Sequence, residues 1–257
     1  MSNKLLFRTR YPLIISKQNP LVKHLVKLRE DKSYRREKSS LLVTGKILVE
    51  ELAASYSFTN IVIEEGFSFP QNVQARDVIA VSFPVLKKIT GLENPEPICG
   101  EIACPREQDV SGASKLLVLD RISDPGNLGT LLRTALALRW DGVFLTHQCV
   151  DIWNDKAIRA ARGSSFFLPF QIGTTEELEC LLQKRGGSCL VADARGKEVR
   201  DLHLKSPLTL ILGNESHGPL EKFRTHLTLV GIPLHPKVES LNVSIAGAIL
   251  MDQLRGL

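Results

Sequence analysis

The chain has 257 residues, 43% of them hydrophobic and 24% charged, a composition ordinary for a soluble protein with room for one large domain or two small ones. No apolar run approaches the ~18 to 20 residues of a spanning helix, and the N-terminal MSNKLLFRTRYPLII is too short and polar for a secretory signal. Residues 1–38 hold eleven Lys or Arg against three acids, a balance of +8, so the net charge of +5 leaves −3 for residues 39–257.

Residues 1–15 form an N-terminal extension whose cations and lack of acids keep an organellar targeting segment open. The stretch 16–38 predicts a helix with Asn19 as cap, Pro20 in the first turn and Leu21, Val22, Leu25, Val26 and Leu28 facing inward. Lys23 and Lys27 share its outer side and Arg35 and Arg36 follow, so the stretch reads either as a solvated charged face or, because the basicity is concentrated at one end, as an arm that binds a polyanion. Residues 40–66 give strand, helix, strand, and 77–104 repeat the alternation more weakly, which makes 16–105 a small α/β domain. The polar, aperiodic stretch 106–114 is the expected linker.

From residue 115 strands and helices alternate to the end. Strands are expected at 115–120, 142–146, 166–170, 188–193, 208–213 and 229–234, with helices near 128–138, 154–162, 175–185 and 242–254. That order predicts an α/β domain over 115–257 with a mainly parallel sheet covered on both faces and ligands beyond the carboxyl ends of its strands. The five cysteines are odd in number and lack C-x-x-C spacing, and His147 with Cys149 is an isolated H-x-C, so neither a disulfide framework nor a metal site is expected. A reducing compartment follows: the cytoplasm in a bacterium, a mitochondrion or chloroplast as the eukaryotic alternative.

Three strand ends in the second half carry polar or glycine-rich turns. DPGNLGTLLR (124–133) reads as the start of a helix capped by Asn127, with Gly129 and Arg133 four apart on one face away from the apolar stripe. A mid-helix glycine costs about 1 kcal/mol relative to alanine, and an early cation opposes the helix dipole, so both residues run against local stability. LTLILGNESHGPL (208–220) carries Gly213, Asn214 and Glu215. IPLHPKVESLNVSIAGAIL (232–250) leads through Ser240, Leu241 and Asn242 into an Ala/Gly-rich helix. Dinucleotide, P-loop and hydrolase-elbow motifs are absent.

Taken in order, DxxxDPGNLGxxxRTA, DKAIRAARGSSFFLPF, LGNESHG and IPLxxxVESLNVSIAGAIL resemble the SpoU (TrmH) family of RNA ribose 2′-O-methyltransferases, of the SPOUT class, over about residues 115–254. The N-terminal half is similar to the L7Ae/L30e-like substrate-binding domain of ribosomal-RNA members. Three departures stand out: Arg139-Trp140 where a glycine is usual, Ala161 for a common serine, and Pro236 for a usual glycine.

The resemblance implies a deep trefoil knot in the second domain, formed by threading the C-terminal segment through a loop, with S-adenosylmethionine held there and no metal. It makes Gly213, Asn214, Ile232, Pro233, Ser240 and Leu241 the cofactor loops and Asn127, Arg133, Glu215 and Asn242 the catalytic set. Arg133, whose guanidinium stays protonated, is then expected to grip the target phosphate and stabilise the developing alkoxide, while Gly129 clears room for the nucleotide. Ribosomal RNA is the expected substrate, with transfer RNA, a different target atom, or RNA binding without catalysis as alternatives. A homodimer is expected through a stripe of Leu241, Ile245, Ala248 and Ile249 with small Ala246 and Gly247.

Overall fold

A computed structural model describes residues 11–70, 72–214, 218 and 220–256, and the chain divides into two compact units between Pro105 and Arg106. The first contains β1 (Leu13–Ile14), α1 (Pro20–Glu30), α2 (Lys32–Lys38), β2 (Ser40–Thr44), α3 (Lys46–Leu52), β3 (Phe58–Glu64), β4 (Ala75–Val81), α4 (Phe83–Thr90) and β5 (Ile98–Ala103). Its sheet runs in the order β1-β4-β3-β5-β2. The β1–β4 and β3–β4 pairs are parallel, and the pairs of β5 with β3 and β2 are antiparallel. Val22, Leu25, Val26 and Leu28 of α1 pack with Val85, Leu86 and Ile89 of α4 over Leu42, Val62, Ile79 and Val81.

The Asn19 side chain caps α1 by accepting from the Leu21 N–H at 2.9 Å. The expected single helix over 16–38 is nevertheless two. At Asp31 the backbone leaves helical geometry; its N–H donates to Lys27 O, and its carboxylate accepts from the N–H groups of Ser33 and Tyr34. One aspartate thus ends one helix and starts the next. Arg35 is a second correction. It is only 5% exposed, and its Nη1 donates to the carbonyls of Leu28 and Arg29 at 2.8 and 2.9 Å, so it satisfies the last turn of α1 instead of facing a polyanion. Lys23, Lys27 and Arg36 are exposed as expected, and Lys27 Nζ lies 5.3 Å from the centre of the Tyr34 ring.

The second unit contains β6 (Lys115–Leu119), α5 (Pro125–Ala137), β7 (Gly142–Thr146), α6 (Asp155–Ala161), a 3-10 turn at Ser164–Phe166, β8 (Phe170–Gly173), α7 (Thr175–Arg185), β9 (Ser188–Lys197), β10 (Leu208–Leu212), α8 (Glu221–His226), β11 (Thr228–Val230) and α9 (Val243–Gln253). The strand order is β11-β9-β10-β6-β7-β8, and all five pairings are parallel. Leu178 and Leu181 of α7 and Phe223 of α8 cover Val118, Phe144, Val191 and Ile211. On the opposite face, Gly247 of α9 abuts Leu131 of α5 and Leu212 of β10. The segment 106–114, expected as a linker, packs on this unit: Val110 is buried in its core and Arg185 donates to the carbonyls of Val110 and Ser111.

The strand expected at 166–170 begins instead at Phe170. Pro169 has no N–H for a ladder, although its carbonyl accepts from Val143 N, and the preceding serines form the 3-10 turn. The helix α8 escaped notice because six residues are too few to display a period.

The Arg139-Trp140 departure has a backbone explanation. The N–H of Trp140 bonds to Ala135 O and that of Arg139 to Leu136 O, the paired bonds of a Schellman helix end, with Arg139 left-handed at φ 61°. Trp140, 1% exposed, supplies the buried residue beyond the cap. A non-glycine residue in this region carries strain, so Arg139→Gly should raise the melting temperature by about 2 °C, corresponding to roughly 0.5–1 kcal/mol. Calorimetric melting checks this; an unchanged or lower midpoint counts against strain at Arg139.

Candidate active site

Helix α5 starts one turn earlier than its apolar spacing suggests. Asp124, not Asn127, is the N-cap: its Oδ1 accepts from the Asn127 N–H at 2.7 Å, with Pro125 opening the helix. Asn127 therefore lies inside the first turn with its side chain projecting. Its Oδ1 accepts from Asn242 Nδ2 at 3.0 Å. Asn242 is itself the cap of α9, its Oδ1 accepting from Ser244 N and Ser244 Oγ at 2.9 and 2.6 Å. The first and third sequence motifs, more than a hundred residues apart, thus meet through two amides.

Gly129 is buried, contrary to the expectation of an open face. A Cβ placed there would stand 2.4 Å from the carbonyl oxygen of Ala157 and 2.6 Å from the Ala160 Cβ, so the glycine lets α5 and α6 touch backbone to backbone. It clears room for a helix, not a nucleotide. Ala161, where a serine is common, is fully buried at this same contact. Arg133 lies one turn beyond Gly129, exposed and without an ion pair to any described residue. At 3.6 residues per turn it stands about 120° round the helix from Asn127, so the two do not converge within this chain.

The loops after β6 and β10 are fastened by a charge that sequence reasoning overlooked. Asp120 is fully buried, and its Oδ2 accepts from Arg121 Nε and Nη2 at 3.2 and 3.1 Å and from Leu220 N at 3.2 Å. Arg121, left-handed at φ 59°, also donates from Nη2 to Gly218 O at 2.9 Å, while its own carbonyl accepts from Asn214 Nδ2 at 3.0 Å. The Arg121 N–H reaches Thr146 Oγ1 at the end of β7. Three strand ends are therefore held in one network, and a charged pair closing an apolar strand was the available signal. Glu215 lies outside the described residues.

Beyond the carboxyl ends of β9, β10 and β11 is a cavity of about 490 Å³, within the roughly 300–1,000 Å³ of small-molecule pockets. Leu212, Val230, Val243 and Leu250 supply apolar wall, and Asp193, Arg195, Glu239 and Ser240 supply polar groups. Of the residues assigned to the cofactor loops, Gly213, Asn214, Ile232, Ser240 and Leu241 line it, whereas Pro233 is exposed and absent from the wall. Pro236 occupies the second position of a tight turn closed by Val238 N to His235 O at 2.8 Å, a place its fixed φ suits.

Residues 114–252 match the SpoU rRNA Methylase family, and residues 19–100 match the MRM3-like substrate binding domain. The chain belongs to the SpoU rRNA methylase family. It is 33% identical over 253 residues to the 23S rRNA (guanosine(2553)-2′-O)-methyltransferase RlmP of Bacillus subtilis, covering 95% of this chain and 99% of that protein. An uncharacterized tRNA/rRNA methyltransferase of Synechocystis sp. is 34% identical over 268 residues, covering 95% and 96%. Among solved structures, the AdoMet-bound rRNA methyltransferase from Sinorhizobium meliloti superposes with a TM-score of 0.84 at 27% identity, covering 96% of this chain and 98% of that one.

In this SpoU methylase the cysteines are free thiols. Burial pushes those of Cys99 and Cys189 up to about 12 and raises that of Cys149, so these three stay protonated at neutral pH and make poor nucleophiles. Among the described residues no group of three His, Cys, Asp or Glu is placed to hold a metal.

Proposed function

We propose that this chain transfers a methyl group from S-adenosylmethionine to a ribose 2′-hydroxyl of ribosomal RNA. The observation that carries it is the Asn127–Asn242 bond beside the cavity: Asn242 sits between Leu241 and Val243, both in the cavity wall, so the first motif is tied to the rim of the pocket. The residues present fit the cofactor in size and character, with an apolar wall for adenine and polar groups for the sugar and amino acid. When bound, S-adenosylmethionine supplies an electrophilic methyl group on a sulfonium.

The chain's own contribution is alignment, exclusion of water and charge stabilisation. The Asp120–Arg121 network fixes the loop after β10, and the asparagine pair ties the start of α5 to that of α9. Arg133, with its planar fork of donors, holds a phosphate and favours the alkoxide that forms as the 2′-hydroxyl loses its proton to phosphate or water. Glu215 joins this catalytic set through the family resemblance. Lys23, Lys27 and Arg36 give the first unit a cationic face for the RNA backbone, and the similarity to RlmP and the substrate-binding domain favours ribosomal over transfer RNA. No described helix is long and apolar enough to cross a membrane. Mapping 2′-O-methyl sites across total RNA with and without the gene tests the proposal. Loss of one ribosomal site is expected; loss only from transfer RNA would redirect the substrate, and no loss would refute the activity.

The C-terminal segment is read as threaded in a trefoil knot, as the resemblance implies, and the protein as a homodimer. Gly247 cannot serve that interface, since it is consumed by contact with Leu131 and Leu212. Ile245, 51% exposed, with half-buried Ala248 and Ile249, remains as an apolar edge of α9. Sedimentation at micromolar concentration should give a dimer that Ile245→Glu dissociates; a wild-type monomer would rule the interface out.

A further inference from the structure

The parallel pairing of β9 with β11 breaks in one place. Leu229 pairs with Val191, yet the next residue, Val230, pairs with Lys197, so residues 192–196 leave the ladder as an arch of five residues. Two glycines lock its base. A Cβ on Gly196 would stand 2.3 Å from the Val230 carbonyl carbon, and one on Gly231 would meet the carbonyl oxygens of Asp193 and Gly196 at 2.8 Å. The Gly231 N–H closes the crossing onto Lys197 O at 2.8 Å. Such an excursion interrupts an otherwise continuous parallel ladder, and bulges of this kind commonly re-aim side chains at functional sites.

Four arch residues, Ala192, Asp193, Ala194 and Arg195, line the cavity. The Asp193 side chain is only 5% exposed, and its Oδ1 accepts from the backbone N–H and Nε of Arg195 at 2.9 and 3.2 Å. An almost dehydrated carboxylate is thus held at a fixed place in the pocket wall, with its charge balanced by a neighbour on the same arch. The balance bears on what it recognises. A second cation, such as the amino group of an amino acid, would crowd a charge that Arg195 already neutralises, whereas a neutral vicinal diol adds donors without adding charge. A carboxylate accepts from hydroxyls as well as from cations.

We propose that the Asp193 arch is the side-chain element that recognises the ribose diol of the cofactor, in a pocket whose wall also carries Glu239 and Ser240 among apolar groups. This rests on the assignment of S-adenosylmethionine to the cavity and adds a specificity-determining residue to it. Asp193 is a binding residue here, and Arg195 positions it.

Calorimetric binding tests this without turnover, using S-adenosylhomocysteine and its 2′-deoxyribose analogue on the full-length wild type and on Asp193→Asn, which keeps the shape and an acceptor for Arg195. The wild type should bind the deoxy analogue about tenfold more weakly, the loss of one hydrogen bond to a charged group. Asp193→Asn should lose a similar factor for the natural ligand and discriminate little between the two. Equal wild-type affinity for both ligands overturns the proposal, and needs no variant to fold. So does an Asn variant that keeps the full discrimination. Wild-type protein that binds neither ligand would instead refute the cofactor assignment itself, and the inference with it.

Discussion

Arg133→Lys is expected to slow single-turnover methyl transfer at least about tenfold at saturating RNA, equivalent to roughly 1.4 kcal/mol of barrier, while S-adenosylmethionine affinity stays unchanged. The reason is geometric. Lysine keeps the charge but not the planar fork that grips phosphate and ribose oxygens together. Arg133 is exposed and has no ion pair with a described residue, so its substitution should leave the fold intact and isolate the effect on transfer. Saturating RNA keeps weakened binding from passing as slowed chemistry. Near-normal transfer by the lysine variant would mean that a point charge suffices. Full activity of Arg133→Ala would remove the residue from the mechanism.

The second large effect concerns stability. Alanine at 129 would improve helix propensity by about 1 kcal/mol, and on a solvent-facing turn it would stabilise the protein. The structure reverses the sign. The added methyl would press on the Ala157 carbonyl at 2.4 Å and the Ala161 amide nitrogen at 2.7 Å, and backbone in a packed helix pair cannot swing aside as a flexible side chain can. Overpacking of this kind costs roughly 3 kcal/mol, so the net loss is about 2 kcal/mol and the melting temperature of the second unit should fall by about 4–8 °C. Calorimetry on Gly129→Ala decides between the two signs: a rise would mean that α5 and α6 are looser than this contact requires.

Gly129 also shows where sequence stops being informative. Its presence in DPGNLGTLLR announced that something approached the helix, but which neighbour approached depended on packing between helices some thirty residues apart. Asn19 and Pro20 were legible because caps act within a turn of the residue that supplies them. Most of the parallel sheet was legible because buried strands are nearly continuous apolar runs, as in LLVL and LTLIL. Arg35 was not: its place in a basic run suggested solvent, and only the break at Asp31 folds it back onto the carbonyls of α1. Likewise the strand expected at 188–193 runs on to Lys197, since nothing local reveals that β11 skips five residues and rejoins it there. The candidate site was legible as motifs, and the Asn127–Asn242 contact shows two of them meeting, but the fasteners Asp120 and Arg121 emerge only when three strand ends are seen together.

The placement of α9 has a consequence for synthesis. Val243, Ala246 and Leu250 belong to the cavity wall, Gly247 fills the space between Leu131 and Leu212, and Lys115 Nζ at the start of β6 donates to the carbonyls of Leu254 and Arg255. The first strand of the second unit is therefore tied to residues translated about 140 positions later, an interval of roughly 7–30 s at 5–20 residues per second. The first unit, whose sheet is complete at Ala103, has its full set of strands well before then. A nascent chain thus completes the sheet of its first unit while the cavity of the second still lacks the wall that Val243, Ala246 and Leu250 supply, so termination before α9 leaves that cavity open on one side.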